Sequence, residues 1–191
     1  MVPGRAATEA DDVVRNNPAS ALRAPAEDIT LALAERGVRY SLVRLPRSVH
    51  GADGHGWRGG FSHWLVDLAL QKGVSAYIGD GTQRWPAVHR LDLARLLRLA
   101  IEKAPAGSRL HAVGDEGVSM RDIAEAIGKK LGVPMVAKVG EEVAAHFSFL
   151  GAIASLDQPA AAARTRELLG WQPRESSLLA DIAANDITRR S

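Results

Sequence analysis

The chain of 191 residues contains no cysteine. Disulfides, thiolate zinc sites and cysteine nucleophiles are therefore excluded, and three methionines are the only sulfur present. Aromatic residues are scarce at 5%, and the basic residues, mostly arginine, never run more than two together. A nucleic-acid surface gathers basic side chains on one face with aromatic rings between them. A net charge of only +2 without such gathering argues against that partner. No stretch approaches the ~18 consecutive apolar residues of a membrane helix. The first thirty residues carry acids where a secretion signal needs an apolar segment. The reading is a cytoplasmic protein with no nucleic-acid and no membrane partner. What is present is 46% hydrophobic residues, enough for a real core in a chain that buries roughly 70% of its unfolded surface.

Residues 1–25 are polar, with prolines at 3, 18 and 25, and read as an N-terminal loop. Ala26, Ile29 and Leu33 have helical spacing, with Gly37 placed to end the helix. Residues 38–45 form an apolar, β-rich run closed by Pro46, which predicts a mostly buried strand. A glycine-rich loop follows, then a helix with Phe61, Trp64, Leu65, Leu68 and Ala69 on one face. Short strands are predicted at 75–78, 110–113 and 134–139. Asp92 is placed to cap a helix carrying Leu93, Leu96, Leu97, Ala100 and Ile101, and Ser119 to open another with Met120, Ile123, Ala124, Ile127 and Leu131. The remainder reads as helices at 141–149, 159–169 and 178–187. About four short strands alternating with helices make the class α/β. A strand as apolar as 38–45 wants neighbours on both sides, and the sequence before it offers only one helix and a polar loop.

Three patterns bear on chemistry. Gly54, Gly56 and Gly59 spell G-x-G-x-x-G before a helix, but eight residues, Pro46 among them, separate Gly54 from the preceding strand. A dinucleotide fingerprint starts directly at a strand end, so a substrate-side loop is the better reading. His50, Asp53, His55 and His63 have no established ligand spacing, so no metal site is assigned. His89 and His111 lie in or beside apolar runs, where hydrogen-bonded structural histidines are ordinary. There is no P-loop and no G-x-S-x-G elbow.

Several separated strings line up in order with one family: residues 43–51 (VRLPRSVHG), 79–81 (GDG), 88–94 (VHRLDLA), 111–114 (HAVG) and 169–173 (LGWQP). Together they resemble the C-terminal half of the extended short-chain dehydrogenases, the NAD-dependent epimerase/dehydratase family. The resemblance spans about residues 15–175, and it is nearest to an atypical bacterial branch of that family.

The resemblance implies the C-terminal part of a Rossmann-like doubly wound sheet plus a small mixed substrate-binding subdomain. The implied divisions are a loop at 1–25, the last helix and strand units at 26–78, a substrate subdomain at 79–175 and a C-terminal helix at 176–191. It also implies that Pro46, Ser48 and Val49 lie against the nicotinamide end of a cofactor, and that His50, Arg84, Trp85 and His89 face a substrate. Arg84 stands one residue out of register with the family's phosphate-binding arginine, and Trp85 occupies the matching place. The family's glycine-rich turn lies upstream of the matched segment, so the chain is expected to be truncated. NAD or NADP is expected to bind a full-length form and neither the chain alone. At the positions matching the family's Tyr-x-x-x-Lys stand Arg23 and Glu27, which suit an ordinary i,i+4 ion pair. No catalytic residue is assigned. The expected partner is a small, sugar-like molecule, with self-association possible through the unpaired strand. The function implied is that of an oxidoreductase or epimerase portion, inactive by itself; a non-catalytic binding module of the same ancestry is the alternative.

Overall fold

The computed structural model describes residues 4–13, 15, 18–53 and 56–188, and for 18–23 the backbone alone. The first element is helix α1 (Pro18–Ala32), extended by a 3₁₀ turn, Leu33–Arg36. The helix starts eight residues before the sequence suggests, with Pro25 inside it, so the expected loop at 1–25 is partly helical. Gly37 ends the turn with φ 71°, as its position predicts. Strand β1 (Ser41–Arg44) follows. It is shorter than the 38–45 run and only half-buried throughout, because Val38 and Leu45 lie exposed beyond its ends.

Residues 48–60, expected to be loop, instead form β2 (Ser48–Asp53) and, after residues 54 and 55, β3 (Gly56–Arg58), which returns antiparallel to it. Helix α2 (Phe61–Lys72) leads to β4 (Ser75–Ile78). Then come β5 (Arg84–His89), α3 (Arg90–Lys103), β6 (Ser108–His111), β7 (Asp115–Ser119), α4 (Met120–Leu131) and β8 (Met135–Lys138). The C-terminal part holds α5 (Glu141–Phe147), α6 (Leu150–Ala154), α7 (Ala163–Leu169) and α8 (Leu178–Ala184). The helix expected over 141–149 breaks at Ser148, whose φ of 51° no helix accommodates.

The described strands make three sheets. β1 pairs in parallel with β6, and β4 in parallel with β8. Four strands run in the order β3-β2-β5-β7, with β2 and β5 parallel and the two outer strands antiparallel to their neighbours. The register slips between Trp85 and Ala87, where Pro86 has no N–H to give the ladder and the facing strand bulges. This is a mixed α/β architecture with parallel pairs and covering helices, the class the sequence predicts.

Two apolar clusters hold it together. One is built on Trp57, Trp85, Met120, Ile123, Ile127, Phe147, Leu178 and Ile182, between the larger sheet and helices α2, α4 and α8. The other joins Val88, Leu96, Ala100, Leu110 and Trp171 across β6, α3 and α7. Each large side chain so buried contributes about 1.5–3 kcal/mol. The α4 face matches the sequence pattern in full, and Ser119 Oγ accepts from the Asp122 N–H at 3.0 Å as a cap. The other two amphipathic faces are rotated from expectation. On α2 the buried side is Ser62, Leu65, Val66 and Ala69 while Trp64 is exposed; on α3 Leu97 and Ile101 face outward.

Asp92 is not the cap of α3. His89 takes that place, its Nδ1 accepting from the Leu91 N–H at 3.3 Å. The buried Asp92 carboxylate instead accepts from the backbone N–H groups of Arg174 (2.8 Å) and Glu175 (3.0 Å) and pairs with Arg95. The Trp171 indole donates to the Asp92 carbonyl at 3.0 Å. A second buried carboxylate, Glu9, accepts from the N–H (2.8 Å) and Oγ1 (2.6 Å) of Thr165 in the first turn of α7. Residues 5–12 are thereby tied to the C-terminal half.

Removing a buried acceptor strands the donors it satisfied. Asp92→Ala should lower unfolding free energy by about 2–4 kcal/mol. Breaking the exposed Arg98–Glu102 pair by Arg98→Ala should change it by less than about 0.5 kcal/mol. Urea denaturation of both variants checks the contrast.

Candidate functional site

Ligands of open α/β sheets gather beyond the carboxyl ends of parallel strands. Here β1 ends at Arg44, and residues 45–49 lead from it into β2. Ser48 is fully buried and shares a 2.5 Å hydrogen bond with Ser62 Oγ, so its hydroxyl is committed within the protein. Pro46 and Val49 are half-buried and keep surface available. The parallel register of β2 and β5 sets His50 opposite His89, with ring centroids 5.3 Å apart, edge to face.

Asp181 of α8 completes this cluster. Its Oδ2 accepts from His50 Nδ1 at 2.9 Å and from the Trp57 indole at 2.6 Å. Its Oδ1 accepts from the Asn185 side chain at 2.9 Å, with His89 Nε2 standing 4.0 Å away. Burial pushes the Asp181 carboxyl up, but the His50 and Trp57 hydrogen bonds outweigh it and hold the group below its ordinary value. His89 is held below the ordinary imidazole value, first by burial and only partly offset by Asp181. Its Nδ1 is already an acceptor at the α3 cap, so the neutral form carries its proton on Nε2.

The sequence singled out His50 and His89, and the structure brings them together. It does not bring Arg84 to them. That guanidinium pairs bidentately with Asp157, at 2.8 and 3.0 Å. Trp85 is fully buried in the core, its indole nitrogen without a partner among the described residues. The Arg23 side chain lies outside the described residues; the Glu27 carboxylate takes Arg44 at 2.6 Å, with Arg109 at 3.9 Å. Gly54 and His55 also lie outside the described residues. Among those described, no group of three or more His, Cys, Asp or Glu is arranged to hold a metal ion. No described helix is long and apolar enough to cross a membrane.

Trp57 and Asp181 carry no motif and were not singled out by sequence reasoning. One signal was available: in the α8 sequence LLADIAA, Asp181 lies on the same face as Leu178 and Ile182, and a lone acid on an apolar stripe calls for a buried partner.

The described residues do not fit a dinucleotide's pyrophosphate. Gly56 lies inside β3, not at a strand-to-helix turn. Gly59 is glycine because a Cβ there would come within 2.1 Å of the Trp57 ring. Gly60, at φ 57°, lets the start of α2 abut β2, and a Cβ would meet the Arg47 carbonyl at 2.6 Å. The first amides of α2 are satisfied by protein: Phe61 N–H donates to Arg47, Ser62 to Gly59 and His63 to Gly60. Nothing among the described residues cradles phosphates.

No family model matches the chain. An uncharacterised protein of Schizosaccharomyces pombe is 46% identical over 159 residues, covering 83% of this chain and 52% of its own length. An uncharacterised protein of Saccharomyces cerevisiae is 40% identical over 183 residues, 96% of this chain and 59% of that protein. The chain thus spans little more than half the length of these relatives. They are fungal and lend no support to a bacterial placing. Among solved structures, dTDP-glucose 4,6-dehydratase from Streptomyces venezuelae, with NAD bound, matches at a TM-score of 0.71 and 18% identity, over 95% of this chain and 53% of that one. UDP-glucose 4-epimerase from Thermus thermophilus, in complex with NAD, matches at 0.70 and 16%, over 96% and 57%. The fold is accordingly the Rossmann-like α/β fold of sugar-nucleotide epimerases and dehydratases.

Burial also holds His111 and His146 below the ordinary imidazole value. Below a pH of about 6.5 the unfolded chain takes up protons at these histidines and at His89 that the folded chain refuses. Each then weakens the fold by at most about 1.4 kcal/mol per pH unit. Melting temperature should hold between pH 7.5 and about 6.5 and fall from there to pH 5.5, and a His89→Gln/His111→Asn variant should fall less over that lower range. A flat profile would contradict the neutral-imidazole assignment.

Proposed function

We propose that the chain is the substrate-side portion of an NAD(P)-dependent epimerase/dehydratase-like oxidoreductase acting on a small, sugar-like molecule, and that it is inactive by itself. The observation that carries this reading is the course of residues 45–49. They leave the carboxyl end of a parallel strand in a Rossmann-like fold and pass the paired His50 and His89. The likeness to NAD-bound enzymes of about twice the length supports the division of labour. In the full-length form NAD or NADP supplies hydride chemistry. From this chain the backbone of 46–49 lines the nicotinamide end, and His50, itself buried and held by Asp181, backs His89 on the substrate side.

A second reading, a binding module without catalysis, is favoured by Glu27. Its carboxylate is 13% exposed and bound to Arg44, so it is committed within the protein and supplies no cation where the family has a lysine. Among the described residues the outer edge of β1 has no strand beside it, and exposed Ile29, Val38 and Leu45 lie on α1 and around β1. That surface supports self-association of the isolated chain.

Calorimetric titration of the 191-residue chain with NAD and with NADP should give no micromolar binding, while the full-length S. pombe relative binds at least one of them. Micromolar binding by the chain alone overturns the proposal.

A further inference from the structure

The side chain of Arg47, between β1 and β2, is used by none of the above, which draws on its backbone only. Its Nε donates to Gln158 Oε1, its guanidinium lies 5.5 Å from the Phe61 ring centroid and 5.7 Å from that of Trp85, and it has no ion-pair partner among the described residues. A half-buried cation stacked on two rings and left without an anion is costly. Burial pulls its pKa down, and no carboxylate opposes this.

The aromatic wall continues outward. Phe61 meets Trp64 edge to face at 5.0 Å, and Trp64 meets Phe149 the same way at 5.2 Å. Trp64 is 42% and Phe149 65% exposed. Phe149 is held there by Ser148, whose backbone, φ 51° and ψ −133°, is strained for a residue with a Cβ. The Arg47 end is equally fixed, because its carbonyl accepts the first N–H of α2 and Gln158 is anchored by its own N–H to the Arg84 carbonyl. Rigid placement of a cation at the base of an aromatic wall is how a preorganised ligand site is built.

We infer that Arg47, Phe61, Trp64 and Phe149 form a binding site for a small flat monocarboxylate, an aromatic or conjugated acid. The guanidinium's two η nitrogens, neither with a partner among the described residues, match the two oxygens of one carboxylate. The exposed ring edges of Trp64 and Phe149 then take the flat part of the ligand. A diphosphate does not suit the site: Arg84, whose carbonyl holds the Gln158 N–H, is already paired with Asp157 and adds no free second cation. The site lies wholly within this chain, so it goes beyond the proposed function and stands or falls separately from it.

The test uses the 191-residue chain, 4-fluorobenzoate as probe and fluorine NMR as readout. Saturable binding with a dissociation constant of about 1 mM or below is expected, which a ligand of about ten heavy atoms reaches at ordinary efficiency. The neutral 4-fluorobenzamide should bind at least tenfold more weakly. Arg47→Gln should weaken benzoate at least about tenfold. Phe149→Ser, at an exposed position that cannot unfold the core, should weaken it about threefold or more. The exposed control Arg98→Gln should leave it unchanged. Equal binding of the benzamide, unaltered binding in the Arg47 or Phe149 variant, displacement by uridine diphosphate at lower concentration than by unlabelled benzoate, or no binding at all would each overturn the inference.

Discussion

A parallel pair of strands cannot close on itself with a tight turn and wants a helix on each face. β1 and β6, 64 residues apart at Arg44 and Ser108 by chain numbering, are such a pair, and much of the molecule is arranged by it. Their pairing fixes where β1 ends, so it fixes where residues 45–49 emerge and where β2 begins. β2 brings His50 to β5 and Asp181, and its first turn pins Arg47 to the start of α2. Three buried carboxylates hold the distant parts of the chain to this frame. Glu9 binds the start of α7, Asp92 binds the loop at 174–175, and Asp181 binds β2 and β3. Each satisfies donors that would otherwise be stranded in a low-dielectric interior.

These long-range carboxylates also explain what the sequence could and could not disclose. Helix α4 was legible because a capping serine and an apolar face agree with each other and with the core it enters. β4 and β8 were legible as short apolar runs between turn residues. β2 was not, since in SVHGAD the polar Ser48 and His50 are buried while Val49 is only half-buried; the buried His50 is stable there because an aspartate 131 residues away accepts its hydrogen bond. The rotated faces of α2 and α3 have a similar cause. Period alone leaves a helix free to turn by one residue, and the neighbours decide which leucine is covered.

The candidate site was half legible. His50 and His89 stood out as residue types and the fold joined them; Arg84 stood out by position and proved committed to Asp157. The glycines at 59 and 60 spell part of a nucleotide motif, yet each is required by a close contact within the protein. Arg47 and its aromatic wall left no trace at sequence level, because a single arginine becomes informative only once it is seen without a carboxylate.

The central claim is that, among the described residues, β1 is paired with β6 alone and its outer edge is open. Residue-resolved hydrogen exchange on a monomeric sample tests it directly. The account predicts protection at alternate amides along Ser41–Arg44, those facing β6, with the intervening amides exchanging near the rate of an unstructured chain. Protection of all four amides in the monomer would show that the edge is already covered, and would contradict it.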